Sequence, residues 1–496
     1  MGGSLVSAVV NAAEGQPVND RQFFGHPGGL STLFFTEMWE RFSYYGMRAI
    51  LALYLVHELS FAKGDAASLV SIYGSAIYLS GIGGAWLADR VVGQRWCTFW
   101  GGVVIMLGHI CLATPFKETS LYLGVLFLVI GTGLLKPNIS GIVGGLYSKE
   151  DQRRDSGFTI FYMAVNGGAF LGQIVTSYLG EKVNWHWGFG AAAIGMAIGL
   201  IQYVVGKNRM GNAGLAPSNP LRPEQKGKAY GQVGLAAAAV AALVVLMYVL
   251  GWFDPTHIGY VVTGLSIVLP IGYFTVMIRS TQVSDVERKR IYGYIPFFLG
   301  AALFWLLFEQ QASLLPIWVE ERVDLFVGGW EMPAGWFQSF NPLYIVVFAP
   351  IIAAVWLKFG DRQWTTATKF AAGLSLAGVS YLVLVLATAT AADGEKINIL
   401  WLVVMIGILT VGELLVSPVG LSVTTKLAPE AFKSQILAIW FLAAALGLGV
   451  GGQVVKLYDE NSEELYFGVL AVLCLVFAGI MLAIKPRVMT LLGGIR

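Results

Sequence analysis

Charge is scarce in this chain. Asp, Glu, Lys and Arg make up 12% of its 496 residues, about half the share of a soluble domain. Hydrophobic residues make up 56%, and mean hydropathy is +0.67. A soluble globular fold is excluded. Cysteine is also rare: Cys97, Cys111 and Cys474 lie in apolar runs without a CxxC pair or a Cys/His cluster, so neither a disulfide framework nor a zinc site is expected. The ten-residue segments of alternating polarity that build a membrane barrel are missing. Residues 1–28 hold no Lys or Arg before Arg21 and no long apolar core. They are expected to be a mobile cytoplasmic tail rather than a cleaved leader.

What remains is an all-α integral membrane protein. About fourteen apolar runs are long enough to cross a ~30 Å hydrocarbon layer as helices of ~20 residues. They begin near 33, 66, 97, 121, 156, 187, 233, 258, 291, 335, 367, 398, 431 and 465. Glycine is abundant at 61 residues, as expected where small residues let membrane helices approach closely. Positively charged loops stay cytoplasmic. If the N-terminus is inside, Arg90, Arg95, Arg153, Arg154, Arg288, Lys289 and Arg290 all fall inside, while only Lys63, Lys117, Lys182, Arg322, Lys396 and Lys456 fall outside. Both termini are therefore expected in the cytoplasm. The net charge of +2 gives no hint of nucleic-acid binding.

The polar stretch 207–231, rich in Pro and Gly, reads as a cytoplasmic linker after six spans. It separates an N-terminal bundle (29–206) from a pair of spans (232–280) with no ionisable residue in their cores, which read as lipid-facing supports. A C-terminal bundle (281–486) and a tail (487–496) follow. Six plus six helices with a site between the halves is the plan of alternating-access transporters.

Seven ionisable residues lie inside the predicted spans: Glu37, Glu40, Arg41, Arg48, Lys136, Glu309 and Glu413. Such residues usually face a cavity, pair with one another and mark an ion or substrate path; the competing reading is a set of buried structural ion pairs. At 100° per residue, Glu37, Glu40, Arg41, Tyr44 and Arg48 share an arc of roughly 100°, with Tyr45 beside it. The first span thus carries a polar stripe. Glu37 and Arg41, at i,i+4, can pair along it, which leaves Glu40 and Arg48 to find partners elsewhere. The three bases are all in the first half, and Glu309 and Glu413 are in the second. A site between the halves would face cations from one side and carboxylates from the other, which complements a zwitterion.

Other motifs carry nothing. Lys136 sits in GTGLLKPNIS, which lacks the GxxxxGK[ST] of a phosphate loop. The GxGxxG of Gly447, Gly449 and Gly452 lies mid-helix without a preceding strand.

The segment FFTEMWERFSYYGMRAI (34–50) resembles the ExxERFxYY signature of proton-dependent oligopeptide transporters in the major facilitator superfamily. GGAWLADRVVGQRW and FTIFYMAVNGGAF agree with the same family. The resemblance covers nearly the whole chain, including the extra helix pair of bacterial members. It implies a major facilitator fold with two added helices, fourteen spans in all, in a plasma membrane, the bacterial inner membrane. It also implies a functional monomer that imports di- and tripeptides, and peptide-like drugs, with protons as the coupling ion and no cofactor.

Carried onto this sequence, the resemblance gives proton coupling to Glu37, Glu40, Arg41 and Glu309, and leaves open which of Glu37 and Glu40 binds the coupled proton. It implies that Arg48, Lys136 and Tyr45 receive the peptide carboxylate, and that Glu413, Asn166 and Asn341 receive the ammonium. Side-chain pockets would be walled by Tyr44, Tyr78, Trp305, Trp440 and Phe441, though core packing competes for Tyr78, Trp440 and Phe441. Arg48–Glu309 would close the outer side and Lys136–Glu413 the inner side, with Glu37 able to engage Lys136. The family's animal members carry a histidine in the second span; this chain has none there. Coupling should then rest on carboxylates. A same-fold carrier of nitrate or drugs remains a rival, whereas a membrane-embedded enzyme would need HExxH, GxSxG in context or paired intramembrane Asp, none of which is found.

Overall fold

Apolar runs of this length can satisfy their backbone groups inside a bilayer only as helices or closed barrels, and here they become helices. The computed structural model describes residues 22–148, 151–252, 254–392, 395–432 and 436–493. The first six long helices are α1 (Gly28–His57), α2 (Lys63–Leu87), α3 (Gln94–Leu112), α4 (Lys117–Gly144), α5 (Arg154–Lys182) and α6 (Trp185–Gly206). Then come α7 (Pro223–Val249), α8 (Pro255–Arg279) and α9 (Asp285–Phe308), the short α10 (Leu315–Arg322), and α11 (Phe340–Phe359), α12 (Thr366–Thr390), α13 (Leu400–Lys426), α14 (Ile436–Val454) and α15 (Glu463–Leu491).

Setting α10 aside, fourteen long helices are present among the described residues. Thirteen are long and apolar enough to cross a membrane. The exception, α1, is just as long, but Glu37, Glu40, Arg41 and Arg48 interrupt its apolar sequence. Two-residue strands also occur between α10 and α13: β1 (Val323–Asp324) pairs in parallel with β4 (Ile397–Asn398), and β2 (Phe326–Val327) pairs antiparallel with β3 (Trp330–Glu331).

Several expected boundaries move. The stretch 207–231 is not linker throughout: Pro223 opens α7, where its missing N–H costs nothing. The second predicted tail, 487–496, is still helical to Leu491. Most of the first, residues 1–21, lies outside the described residues; within the rest, Phe23 and His26 form a bridge and the His26 ring bonds the Tyr147 hydroxyl at 3.0 Å.

Two six-helix bundles form. In the first, α1 packs along α5 and α6, and α4 along α2 and α3. The α1–α5 contact is close because of glycine: a Cβ on Gly168 would strike the Met38 carbonyl oxygen, and one on Gly172 that of Phe42. Thr176 Oγ1 donates to the Gly46 carbonyl at 2.7 Å across the same seam. In the second bundle α12 packs on α13 and α15, and α9 on α14.

The added pair divides its work. α7 is exposed along nearly all of its described length, as a lipid-facing support would be. α8 instead fits against both α2 and α14, where Thr263 Oγ1 donates to the Gly449 carbonyl at 2.8 Å and Gly259 lies beside Ile72. One helix of the pair therefore bridges the halves.

Candidate functional site

Between the bundles, α1 brings Arg41 against two carboxylates. Its Nε lies 3.1 Å from Glu37 Oε1 and also pairs closely with Glu40. Glu40, expected to seek a partner elsewhere, finds the adjacent residue instead. Neighbours in sequence do not face each other on a helix, but a guanidinium on a three-carbon stem can fold back over both acids. All three are buried, and Glu40 Oε1, Glu37 Oε2 and Arg41 Nη2 have no hydrogen-bond partner among the described residues. The group therefore retains unused donors and acceptors. The Arg41 guanidinium also lies 5.3 Å from the Tyr44 ring and 6.0 Å from that of Tyr45.

Two turns along, Arg48 forms a buried ion pair with Glu309 at the end of α9. This is the expected tie between the halves. Glu309 opens a 3₁₀ turn through Gln311, and the neighbouring Gln310 accepts a bond from the Tyr466 hydroxyl at 3.1 Å.

Lys136 is set in α4 just before Pro137, and forms no ion pair with a described residue. Its ammonium lies 4.4 Å from the Tyr78 ring centre and 5.9 Å from that of Tyr44. It therefore pairs with neither Glu37 nor Glu413 in this conformation. Glu413, on α13, accepts from Asn341 Nδ2 at 3.0 Å, and Asn341 Nδ2 also reaches Thr410 Oγ1 at 3.0 Å. Asn166 Nδ2 donates to the Tyr162 carbonyl of its own helix at 3.1 Å.

The aromatic candidates separate. Tyr78 of α2 stacks on Phe441 of α14 at 6.1 Å, across the seam between the halves. Tyr44 and Tyr45 meet edge to face at 5.0 Å. Trp305 packs on Phe304 and Phe308, and its buried indole N–H has no partner among the described residues. Trp440 stands in the packed interior, where a Cβ on Gly420 would meet its ring.

The two ends of the molecule differ. At the end opposite the first and last described residues, polar contacts join the halves. His57 meets Glu320 at 2.7 Å, Lys63 meets Glu321 at 2.6 Å and Glu460 at 2.5 Å, and Lys182 meets Glu331 at 2.8 Å. Lys182 holds the Glu331 carboxyl below the usual carboxylate range. Glu181, at the C-terminal end of α5, accepts from the backbone N–H groups of Ala334 (2.5 Å) and Gly335 (2.9 Å), which open the turn leading into α11. Trp336 Nε1 donates to the Ile174 carbonyl at 2.9 Å beside it.

Sequence reasoning missed Glu181, although a signal was present. An acid in the last turn opposes its own helix dipole, and here it caps another helix instead. At the other end, among the described residues, no hydrogen bond or ion pair joins the two six-helix bundles.

Comparison with known proteins agrees with this architecture. The family model described as the POT family matches residues 95–472. The uncharacterised transporter YclF of Bacillus subtilis strain 168 is 44% identical, over 99% of this chain and 100% of its own. A di-/tripeptide transporter of Lactococcus lactis subsp. cremoris is 42% identical, over 96% of this chain and 99% of its own. A crystal structure of a peptide transporter POT in complex with sulfate superimposes with a TM-score of 0.91 at 45% identity, covering 95% of this chain and 96% of that one. The helical architecture, the charged centre between two bundles and these full-length matches agree: the chain belongs to the POT family of membrane transporters and is not an enzyme.

Proposed function

We propose that this transporter is a proton-coupled symporter that imports di- and tripeptides by alternating access, with both termini cytoplasmic. One observation carries the reading: a buried ion pair, Arg48–Glu309, ties the halves at the centre, with Lys136 on one side, beside aromatic rings and in no ion pair with a described residue, and Glu413 held by Asn341 on the other. A peptide's carboxylate fits the cationic side, at Arg48, Lys136 and Tyr45. Its ammonium fits Glu413, Asn341 and Asn166. The full-length likeness to a relative named for di-/tripeptide transport supports the same substrate class.

On this orientation the joined end faces outward and the conformation is inward-facing. Protonation of Glu309 removes the charge that holds Arg48, freeing its guanidinium for the peptide carboxylate and releasing the outer closure. Glu37 and Glu40 are further proton acceptors around Arg41. The bacterial inner membrane is the proposed location, and the monomer is the working unit, because every group in this cycle belongs to one chain.

The test is uptake of labelled dialanine into liposomes holding the purified protein, with and without an inward proton gradient. The reading predicts accumulation that needs the gradient and is blocked by unlabelled tripeptide. Uptake unaffected by the gradient, or by tripeptide but not by nitrate, would contradict it.

A further inference from the structure

Glu309 sits where α9 ceases to be an α-helix. Its N–H still reaches the Trp305 carbonyl, as the regular ladder requires. The chain then tightens into a 3₁₀ turn, in which the Ala312 N–H donates to the Glu309 carbonyl and the Ser313 N–H to that of Gln310, both at 3.2 Å. The last four carbonyls of an α-helix have no partner of the α type. This turn belongs to the apolar span Asp285–Gln311, and at membrane depth a freed backbone group has to be satisfied by a neighbouring helix or a side chain.

Two other helices supply what the turn needs. The Tyr381 hydroxyl, on α12, donates to the Leu307 carbonyl at 2.8 Å. The Tyr466 hydroxyl, on α15, donates to Gln310 Oε1 at 3.1 Å. One anchor lies just before Glu309 and the other just after it. Tyr381, Tyr466 and Gln310 are all buried, and both tyrosine rings pack on Phe467, with centres 6.0 and 5.5 Å away. α9, α12 and α15 belong to one bundle and Arg48 to the other. The turn is thus fixed to its own bundle while the Glu309 carboxylate reaches across to Arg48.

We propose that Tyr381 and Tyr466 are positioning residues for Glu309: they hold the break in α9 so that its carboxylate meets Arg48. A 3₁₀ turn advances about 120° per residue and an α-helix about 100°. A turn released from its anchors can relax toward the α-helical course, which swings the Glu309 side chain by about 20° for each residue that changes. Because both anchors move with the bundle that carries Glu309, parting of the bundles pulls the pair apart instead of bending the turn. The consequence for transport rests on the proposed proton coupling at Glu309; the positioning does not.

Melting of the full purified chain in detergent, in a cycle of Tyr381→Phe and Glu309→Gln, tests this. Glu309→Gln leaves the Arg48 charge uncompensated and should lower the Tm. In Tyr381→Phe that drop should be smaller, because the pair is already weakened. Tyr466→Phe should act in the same way, and it carries the test if Tyr381→Phe does not fold. Tyr203→Phe, which removes a hydroxyl bond to the Arg95 carbonyl in the first bundle, is the control and should leave the drop at full size. In liposomes, Tyr381→Phe should lower the ratio of gradient-driven dialanine accumulation to exchange roughly 2- to 10-fold, the scale of one lost hydrogen bond. It should lower it no further in Glu309→Gln. The proposal is overturned if Glu309→Gln lowers the Tm equally with and without each of the two hydroxyls, which is the additive behaviour of tyrosines that only brace the fold. If the melting cycle shows the coupling while Glu309→Gln or Tyr381→Phe leaves the transport ratio unchanged, the positioning stands and the proton coupling at Glu309 is what fails.

Discussion

At the scale of single residues, Lys136 and Glu413 carry the sharpest consequences. Lys136 has aromatic rings around its ammonium but no counter-charge among the described residues, so a carboxylate arriving in the cavity meets a cation that need not first break a pair. A charge-assisted hydrogen bond contributes about 1.5–3 kcal/mol. Lys136→Ala is accordingly expected to lower dialanine exchange and gradient-driven uptake together by about tenfold or more, measured as initial rates in liposomes. Unchanged rates for both would remove Lys136 from the substrate path. Glu413→Gln should raise the half-saturating dialanine concentration by about tenfold, on the same reasoning. It should leave competition by an N-acetylated dipeptide, which has no ammonium, little altered. That split is the check, because a merely structural role would weaken both ligands alike. The charged residues themselves were legible in the sequence, since an ionisable side chain in an apolar run has few other uses. Their pairing was less so. The spacing sends Glu40 beyond its helix for a partner, whereas in the folded chain Arg41 turns back over it.

At the scale of helices and their contacts, the close seam of α1 on α5 and the cap of Glu181 on the turn before α11 are the elements on which motion depends. Gly172→Val would place branched carbons where the Phe42 carbonyl stands. Overpacking of this kind costs about 1–3 kcal/mol or more, so the variant should melt several degrees lower in detergent; an unchanged melting temperature would show that α1 and α5 can part without loss. Glu181→Ala removes both acceptors from the Ala334 and Gly335 N–H groups, a loss of about 0.5–2 kcal/mol for a helix cap. Because that cap exists only when the joined end is closed, the variant should shift the population toward opening there. The readout is increased labelling of a cysteine introduced at Ser177, which the closed seam covers. No gain in labelling relative to the same cysteine in the parent protein would show that Glu181 does not hold the closure. Helix number and order were readable from apolar run lengths alone. The two roles of the added pair were not, because the middles of α7 and α8 are alike in having no ionisable residue and only packing tells a lipid-facing helix from one wedged between bundles.

For the molecule as a whole, the cross-contacts lie at one end and at the centre, so the Arg48–Glu309 pair sits where the two bundles hinge. Removing one partner of a buried pair costs roughly 3–5 kcal/mol because the other charge is left uncompensated; the protein can avoid that cost only by giving Arg48 a new anion, which a peptide carboxylate supplies. In the proposed cycle, proton binding at Glu309 and peptide binding at Arg48 would thereby be linked. The most direct measurement compares wild type and Glu309→Gln in two liposome assays on the same preparation: dialanine exchange without a gradient, and dialanine accumulation driven by an inward proton gradient. The variant, with a neutral side chain that cannot titrate, is expected to keep exchange and lose accumulation. Full gradient-driven accumulation by Glu309→Gln would contradict the account, because the proton would then be coupled to transport somewhere other than at the tie between the halves.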